Sequence, residues 1–188
     1  MEVPELWVAR HGETAWTISR RHTGRTDLPL TEEGERVARE ELGPKLAGVD
    51  FGLVLSSPLV RALQTARLAG FEPELDERLR ELDYGDYEGL TTRQIREERS
   101  DWDLWRDGCP GGETAEDVGA RMDALIAERL LAAPSPILVF GHGHALRILV
   151  ARWLRLEPAA GRAFLLPTAC VGITGSEHGG PVLARWGV

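Results

Sequence analysis

The chain has 188 residues, 43 % hydrophobic and 28 % charged, which suits a single folded domain spanning 1–188 with a full core. Its formal net charge of −8 argues against nucleic acid or an anionic membrane as the main partner, and no apolar run is long enough to span a bilayer. The start, "MEVPELWV", lacks a basic n-region, so no signal peptide is expected. Two cysteines, Cys109 and Cys170, form no CxxC pair and point to a reducing cytoplasm. Lys45 is the only lysine among the cationic residues. The rest are arginines, whose guanidinium holds phosphate bidentately where ammonium does not.

Residues 6–9 read as a strand that stops abruptly at Arg10 and His11. Thr31 caps a helix running to about residue 46, with Glu32 and Glu33 favourable in its first turn. Residues 53–56 form a short apolar strand. Pro58 opens a helix through residue 68, as proline does at a first helical position. A short strand is expected near Glu74 and a helix over 91–98. Thr114-Ala-Glu-Asp117 resembles a capping box for a helix to about residue 131. A strand over 137–140, a helix over 145–154 and late strands over 171–174 and 182–185 complete the pattern. This alternation predicts an α/β fold, a three-layer α/β/α sandwich with a mostly parallel central sheet.

In such sheets ligands gather beyond the carboxyl ends of the strands. Three strands run into suggestive residues: the first into Arg10 and His11, the second into Ser56, Ser57 and then Arg61, a later one into His142, His144 and Arg147. Two histidines and two arginines on one rim would select a tetrahedral oxyanion, most simply phosphate. A neutral imidazole can attack phosphorus directly, and cationic groups can neutralise the transferring phosphoryl group, so no metal or other cofactor is required in principle. Gly12, Gly141 and Gly143 allow close backbone approach. "LRELDYGDYEG" offers Glu81, Asp83, Asp86 and Glu88 as candidate acids for the leaving oxygen. Each residue also has an ordinary reading. A strand-end histidine is usually structural, Thr14 can satisfy local backbone donors, and Trp102, Trp105 and Cys109 are packing residues. "HGH" lacks the further ligands that a metal site needs.

The sequence resembles the histidine phosphatase, or phosphoglycerate mutase-like, superfamily. "RHGET" at Arg10–Thr14, "TGRTDLPLTEEG", "LSSPLVRALQTA", "LRELDYGDYEG" and "FGHGHALR" match its signatures in family order from near residue 6 to near 152. The resemblance implies the phosphoglycerate mutase-like fold and metal-independent phosphoryl chemistry. It implies that His11 is the phosphorylated nucleophile and that Arg10, Arg61 and His142 hold the phosphoryl group. Glu81 would be the proton donor and later the base for water, with Thr23 and Gly24 in the phosphate-side loop. "YGDYEGLTTRQIREERSDWDLWRDGCPGGET" with "FGHGHALR" is similar to the sedoheptulose-1,7-bisphosphatase branch, which makes Ser57, Tyr84 and His22 substrate contacts. The chain departs from the family at Thr17, where asparagine is usual, and from that branch at His22, where tyrosine stands. Thr17, Gly143 and His144 complete the expected substrate-facing set.

The expected function is hydrolysis of a small phosphorylated metabolite, a sugar phosphate or bisphosphate, through phosphorylated His11. A phosphoglycerate mutase with the same nucleophile and a non-catalytic phospho-ligand binding protein are the rivals. Self-association is compatible with the sequence but not specified by it.

Overall fold

The computed structural model describes residues 3–188. Six strands form one sheet: β1 (Leu6–Arg10), β2 (Leu53–Ser56), β3 (Glu74–Leu75), β4 (Ile137–Gly141), β5 (Val171–Glu177) and β6 (Gly180–Trp186), in the spatial order β3-β2-β4-β1-β5-β6. The β3–β2, β2–β4 and β4–β1 pairings are parallel. The β1–β5 and β5–β6 pairings are antiparallel, so the sheet is mixed. The β5–β6 pairing is antiparallel because these strands are joined by His178 and Gly179 alone. Both have positive φ, at 50° and 77°, the geometry of a two-residue hairpin turn.

Strand alternation sorts the core onto both faces. Leu6, Val8, Leu55, Ile137 and Val139 pack in one apolar cluster with Val118, Met122, Leu146 and Leu149. These last four lie on α7 (Ala115–Leu125) and α8 (Gly143–Trp153). Ala9, Leu138 and Phe140 pack in the opposite cluster with Leu42, Leu46 and Ala66. That layer is built from α2 (Glu32–Val37), which runs through a π-turn into α3 (Gly43–Leu46), and from α4 (Val60–Leu68). The layered α/β sandwich is therefore as expected. The expected helix over 91–98 is α5 (Thr92–Glu98), with Thr91 and Gln94 forming its capping box, and Thr114 and Asp117 do the same for α7.

Two local differences matter. Pro58 does not open α4: Leu59 is extended (φ −65°, ψ 135°) and buried, and the Val60 N–H is taken by Asp27 Oδ1 at 2.8 Å, so the helix begins at Val60. Two short helices, α1 (Ala15–Ile18) and α6 (Leu104–Asp107), are too brief for a periodic pattern. Helix α1 is held by a capping box in which Thr14 and Thr17 bond each other's backbone N–H, so the ordinary reading of Thr14 is what the structure displays.

The loop carrying Gly12 and Glu13 presses on α2. A Cβ at Gly34 would sit 2.3 Å from the Glu13 carbonyl oxygen, and one at Gly12 2.8 Å from the Gly34 carbonyl oxygen. Gly34→Ala should destabilise the fold by about 1–3 kcal/mol, as overpacking does, and should lower its melting temperature in calorimetry. An unchanged melting temperature would contradict this packing.

Candidate active site

Strands β1, β4 and β2 end side by side, and their hydrogen bonding continues past the sheet. The His11 N–H donates to the Gly141 carbonyl and the Ser57 N–H to the Phe140 carbonyl, each at 3.0 Å. This register delivers Arg10, His11, Ser57 and His142 to one rim.

His11 is buried, with Nδ1 2.7 Å from the Gly12 carbonyl. A carbonyl only accepts, so Nδ1 carries the proton and Nε2 keeps its lone pair. Burial, reinforced by the Arg10 and Arg61 guanidinium groups, pushes the His11 pKa well below its usual range. His142 takes the other tautomer. Its Nδ1 accepts from Arg61 Nε at 3.1 Å, which leaves the proton on Nε2, 2.8 Å from Ser57 Oγ. Burial, then Arg61 and His11, hold the His142 pKa well below the usual range too. The two rings lie 5.2 Å apart between centroids.

Arg61 is fully buried on α4 and also donates to the carbonyls of Thr23, Gly24 and Thr26 at 3.1, 3.0 and 2.9 Å. Arg10 donates through Nη1 to the Leu166 carbonyl at 2.7 Å, while its Nε is buried without a partner among the described residues. A side chain at Gly143 would bring a Cβ 3.2 Å from Arg10 Cζ, so that glycine leaves room for the guanidinium.

The Glu81 carboxylate sits on the N-terminus of α8. Oε1 accepts from the Ala145 and Leu82 N–H groups at 2.8 and 2.9 Å, and Oε2 from the His144 N–H at 3.1 Å. Tyr84 and His144 form a further pair, Oη to Nδ1, at 2.6 Å. Burial pushes the Tyr84 pKa well above the phenol range and the His144 pKa well below the imidazole range, so the pair is a hydrogen bond between two neutral groups. His22 stacks on Tyr84 at 4.7 Å between centroids and bonds Thr92 Oγ1 at 3.2 Å.

A cavity of about 240 Å³ gathers nine of the expected residues: Arg10, His11, Thr17, His22, Thr23, Glu81, Tyr84, Gly143 and His144. Arg61, His142 and Ser57 form the hydrogen-bonded layer behind His11. Gly24 serves the loop. Its N–H donates to both Glu88 carboxylate oxygens at 3.0 and 2.9 Å, and a Cβ there would lie 2.6 Å from the Leu82 carbonyl oxygen. No group of three or more His, Cys, Asp or Glu side chains that could hold a metal occurs among the described residues.

Arg147, at the third strand end read from the sequence, lines the cavity as well. Two features were not singled out from sequence. Arg20 and Arg21 line the cavity with the residues above. Behind Glu81, Arg121 on α7 bonds the carbonyls of Arg78, Arg80 and Glu81 and both oxygens of Glu113, whose Oε2 also accepts from the Asp83 N–H at 2.9 Å. This clasp fixes the Glu81 segment through backbone carbonyls, which leave no residue-type signal.

The histidine shifts set the pH dependence of stability. His11, His142 and His144 resist protonation when folded, so below about pH 6.5 the unfolded chain binds more protons than the native one. Unfolding free energy should fall between pH 7 and 5, by at most about 1.4 kcal/mol per pH unit for each histidine. Urea titrations measure it, and a pH-independent midpoint would contradict the neutral assignments.

Comparison with known proteins follows this geometry. The acid phosphatase of Mycobacterium tuberculosis is 45 % identical over 188 aligned positions, covering 97 % of this chain and 92 % of that protein. The sedoheptulose 1,7-bisphosphatase of Saccharomyces cerevisiae is 37 % identical, covering 81 % and 68 %. The solved structure of the Rv3214 open reading frame product from M. tuberculosis superposes with a TM-score of 0.91 at 42 % identity, covering 98 % and 97 %. The family model for the histidine phosphatase superfamily (branch 1) matches residues 6–188, and the chain belongs to that family.

Proposed function

We propose that the protein hydrolyses a small phosphorylated metabolite, a sugar phosphate or bisphosphate, through a phosphohistidine on His11. The observation that carries this reading is the His11 tautomer: with Nδ1 committed to Gly12, Nε2 is an unprotonated nucleophile. The unpartnered Arg10 Nε and the His142 Nε2–H are donors suited to the non-bridging phosphoryl oxygens.

In this reading the His11 Nε2 lone pair forms the N–P bond as the P–O bond to the substrate alcohol breaks. The departing oxygen takes a proton from Glu81. Water then attacks phosphorus and gives its proton to Glu81. The N–P bond breaks, inorganic phosphate leaves, and the imidazole is restored. The Arg121–Glu113 clasp keeps the acid in place, and the Tyr84–His144 pair forms a wall for the sugar. The relatives at 45 % and 37 % identity are named for hydrolysis, acid phosphatase and bisphosphatase, which supports hydrolysis over transfer to a bound product, while relatives at 35 % and 34 % identity are named probable phosphoglycerate mutases.

Phosphate release in excess EDTA should survive in the wild type and fall about 10³-fold or more in His11→Ala. Unchanged turnover by that variant would end this reading. Interconversion of 2- and 3-phosphoglycerate faster than phosphate release would put the mutase first. Glu81→Gln should slow alkyl phosphate hydrolysis by about 10²–10⁴-fold and p-nitrophenyl phosphate hydrolysis far less, because nitrophenolate departs without a proton. Equal losses on both would remove Glu81 as the acid.

A further inference from the structure

Helix α1 ends beside the catalytic cavity with Arg20 in the left-handed region, φ 56°. The Arg20 N–H donates to the Thr17 carbonyl at 3.3 Å and the Arg21 N–H to the Trp16 carbonyl at 2.9 Å, the paired bonds of a Schellman turn, whose left-handed position is ordinarily glycine. Arg155 closes α8 the same way, with φ 62°, so the turn by itself does not assign a role. The surroundings of Arg20 do.

Of the four arginines lining the cavity, Arg10 donates to the Leu166 carbonyl, and two of the others also have partners. Arg147 lies 4.6 Å over the Trp105 ring and donates to the Gly161 and Arg162 carbonyls, and Arg21 lies 5.9 Å over Trp16. The Arg20 guanidinium has no hydrogen bond or ion pair with the described residues. Arg20 also lines a second groove that shares Arg10 and Thr17 with the cavity and is walled by Ile18, Leu165 and Pro167. Ile18 and Leu165, 61 % and 70 % exposed, are the two most exposed large hydrophobic side chains among the described residues. Glu13, the carboxylate in this groove, bonds the Thr31 hydroxyl at 2.8 Å. Arg20 is an exposed, uncommitted cation at the junction of the cavity and a groove bordered by exposed apolar side chains, a position that suits a second oxyanion reaching out from the cavity.

We infer that Arg20 is a specificity-determining residue that receives a second anionic group, phosphate or carboxylate, carried by the leaving half of the substrate. The inference rests on the phosphatase reading above and extends it to a substrate with two anionic ends. The cleaved phosphate sits at His11, and the other end reaches the junction with the Ile18–Leu165 groove.

The test is the ratio of kcat/KM values within two substrate pairs: fructose 1,6-bisphosphate against fructose 6-phosphate, and 3-phosphoglycerate against glycerol 3-phosphate. It is measured by phosphate release for the wild type, Arg20→Gly and Arg155→Gly. Glycine is the residue the turn prefers, so Arg20→Gly should keep or raise the melting temperature, which separates lost recognition from lost folding. The doubly-to-singly anionic ratio should fall about tenfold in Arg20→Gly and stay at the wild-type value in Arg155→Gly. A fall in the first pair alone names phosphate as the second group, and a fall in the second pair alone names carboxylate. An unchanged ratio in both pairs, with wild-type phosphate release intact, would overturn the role of Arg20 and leave the phosphatase reading standing. Absence of phosphate release from every compound, p-nitrophenyl phosphate included, would overturn both.

Discussion

Arg61 sets the protonation pattern on which the site depends. It is buried, and its side-chain partners are the carbonyls of Thr23, Gly24 and Thr26 and the Nδ1 of His142. Because guanidinium can only donate, His142 must accept on Nδ1 and present its proton on Nε2. Burial first, then the positive charges of Arg10 and Arg61, keep His11 neutral. Burying a cation on carbonyls and an imidazole is costly, and the cost buys a pocket whose potential is complementary to an anion. The groups in and directly behind the cavity are thereby poised: the His11 imidazole as lone-pair donor, the His142 imidazole behind it as hydrogen-bond donor, and one guanidinium nitrogen, Arg10 Nε, without a partner among the described residues.

The sheet makes this arrangement geometrically cheap. Arg10 and His11 are adjacent on β1, His142 caps α8 directly after β4, and Ser57 follows β2. Parallel pairing of these three strands brings residues far apart in sequence onto one rim without a long loop. Glu81, the proposed acid, arrives differently. It lies outside the sheet and is held by the N-terminal N–H groups of α8 in front and by the Arg121 clasp behind. Helix α8 thus serves both halves of the chemistry, since its cap is His142 and its first turn orients Glu81.

Much of this was legible in the residues, because continuous apolar runs end at once in Arg-His-Gly, Ser-Ser-Pro or Gly-His-Gly and because the ordered motifs resemble one family, whose pattern rather than spacing picks Glu81. The cavity collects most of the substrate-facing set read from the sequence. The antiparallel pairing of β5 and β6 was less legible, since strand direction is set by the length of a connection, here the two residues His178 and Gly179. The start of α4 depended on Asp27, thirty-three residues away from Val60. Thr17 and Gly24 show how a residue at the site can act through the backbone: the Thr17 hydroxyl completes the α1 cap and Gly24 makes room for Leu82. Arg121 and Arg20 were invisible for opposite reasons. One binds only carbonyls and a carboxylate supplied by distant segments. The other binds nothing among the described residues, and only the shape of the cleft brings it to notice.

The central claim is that the His11 Nε2 becomes covalently phosphorylated during turnover. The most direct test is rapid quenching of the wild-type enzyme with labelled substrate, followed by peptide mapping and phosphorus NMR of the trapped species. The account predicts an acid-labile, base-stable phosphoramidate on Nε2 of His11, formed and consumed at rates consistent with kcat. Steady turnover without any phosphoenzyme, or a phosphoryl group on Nδ1 or on another residue, would contradict it.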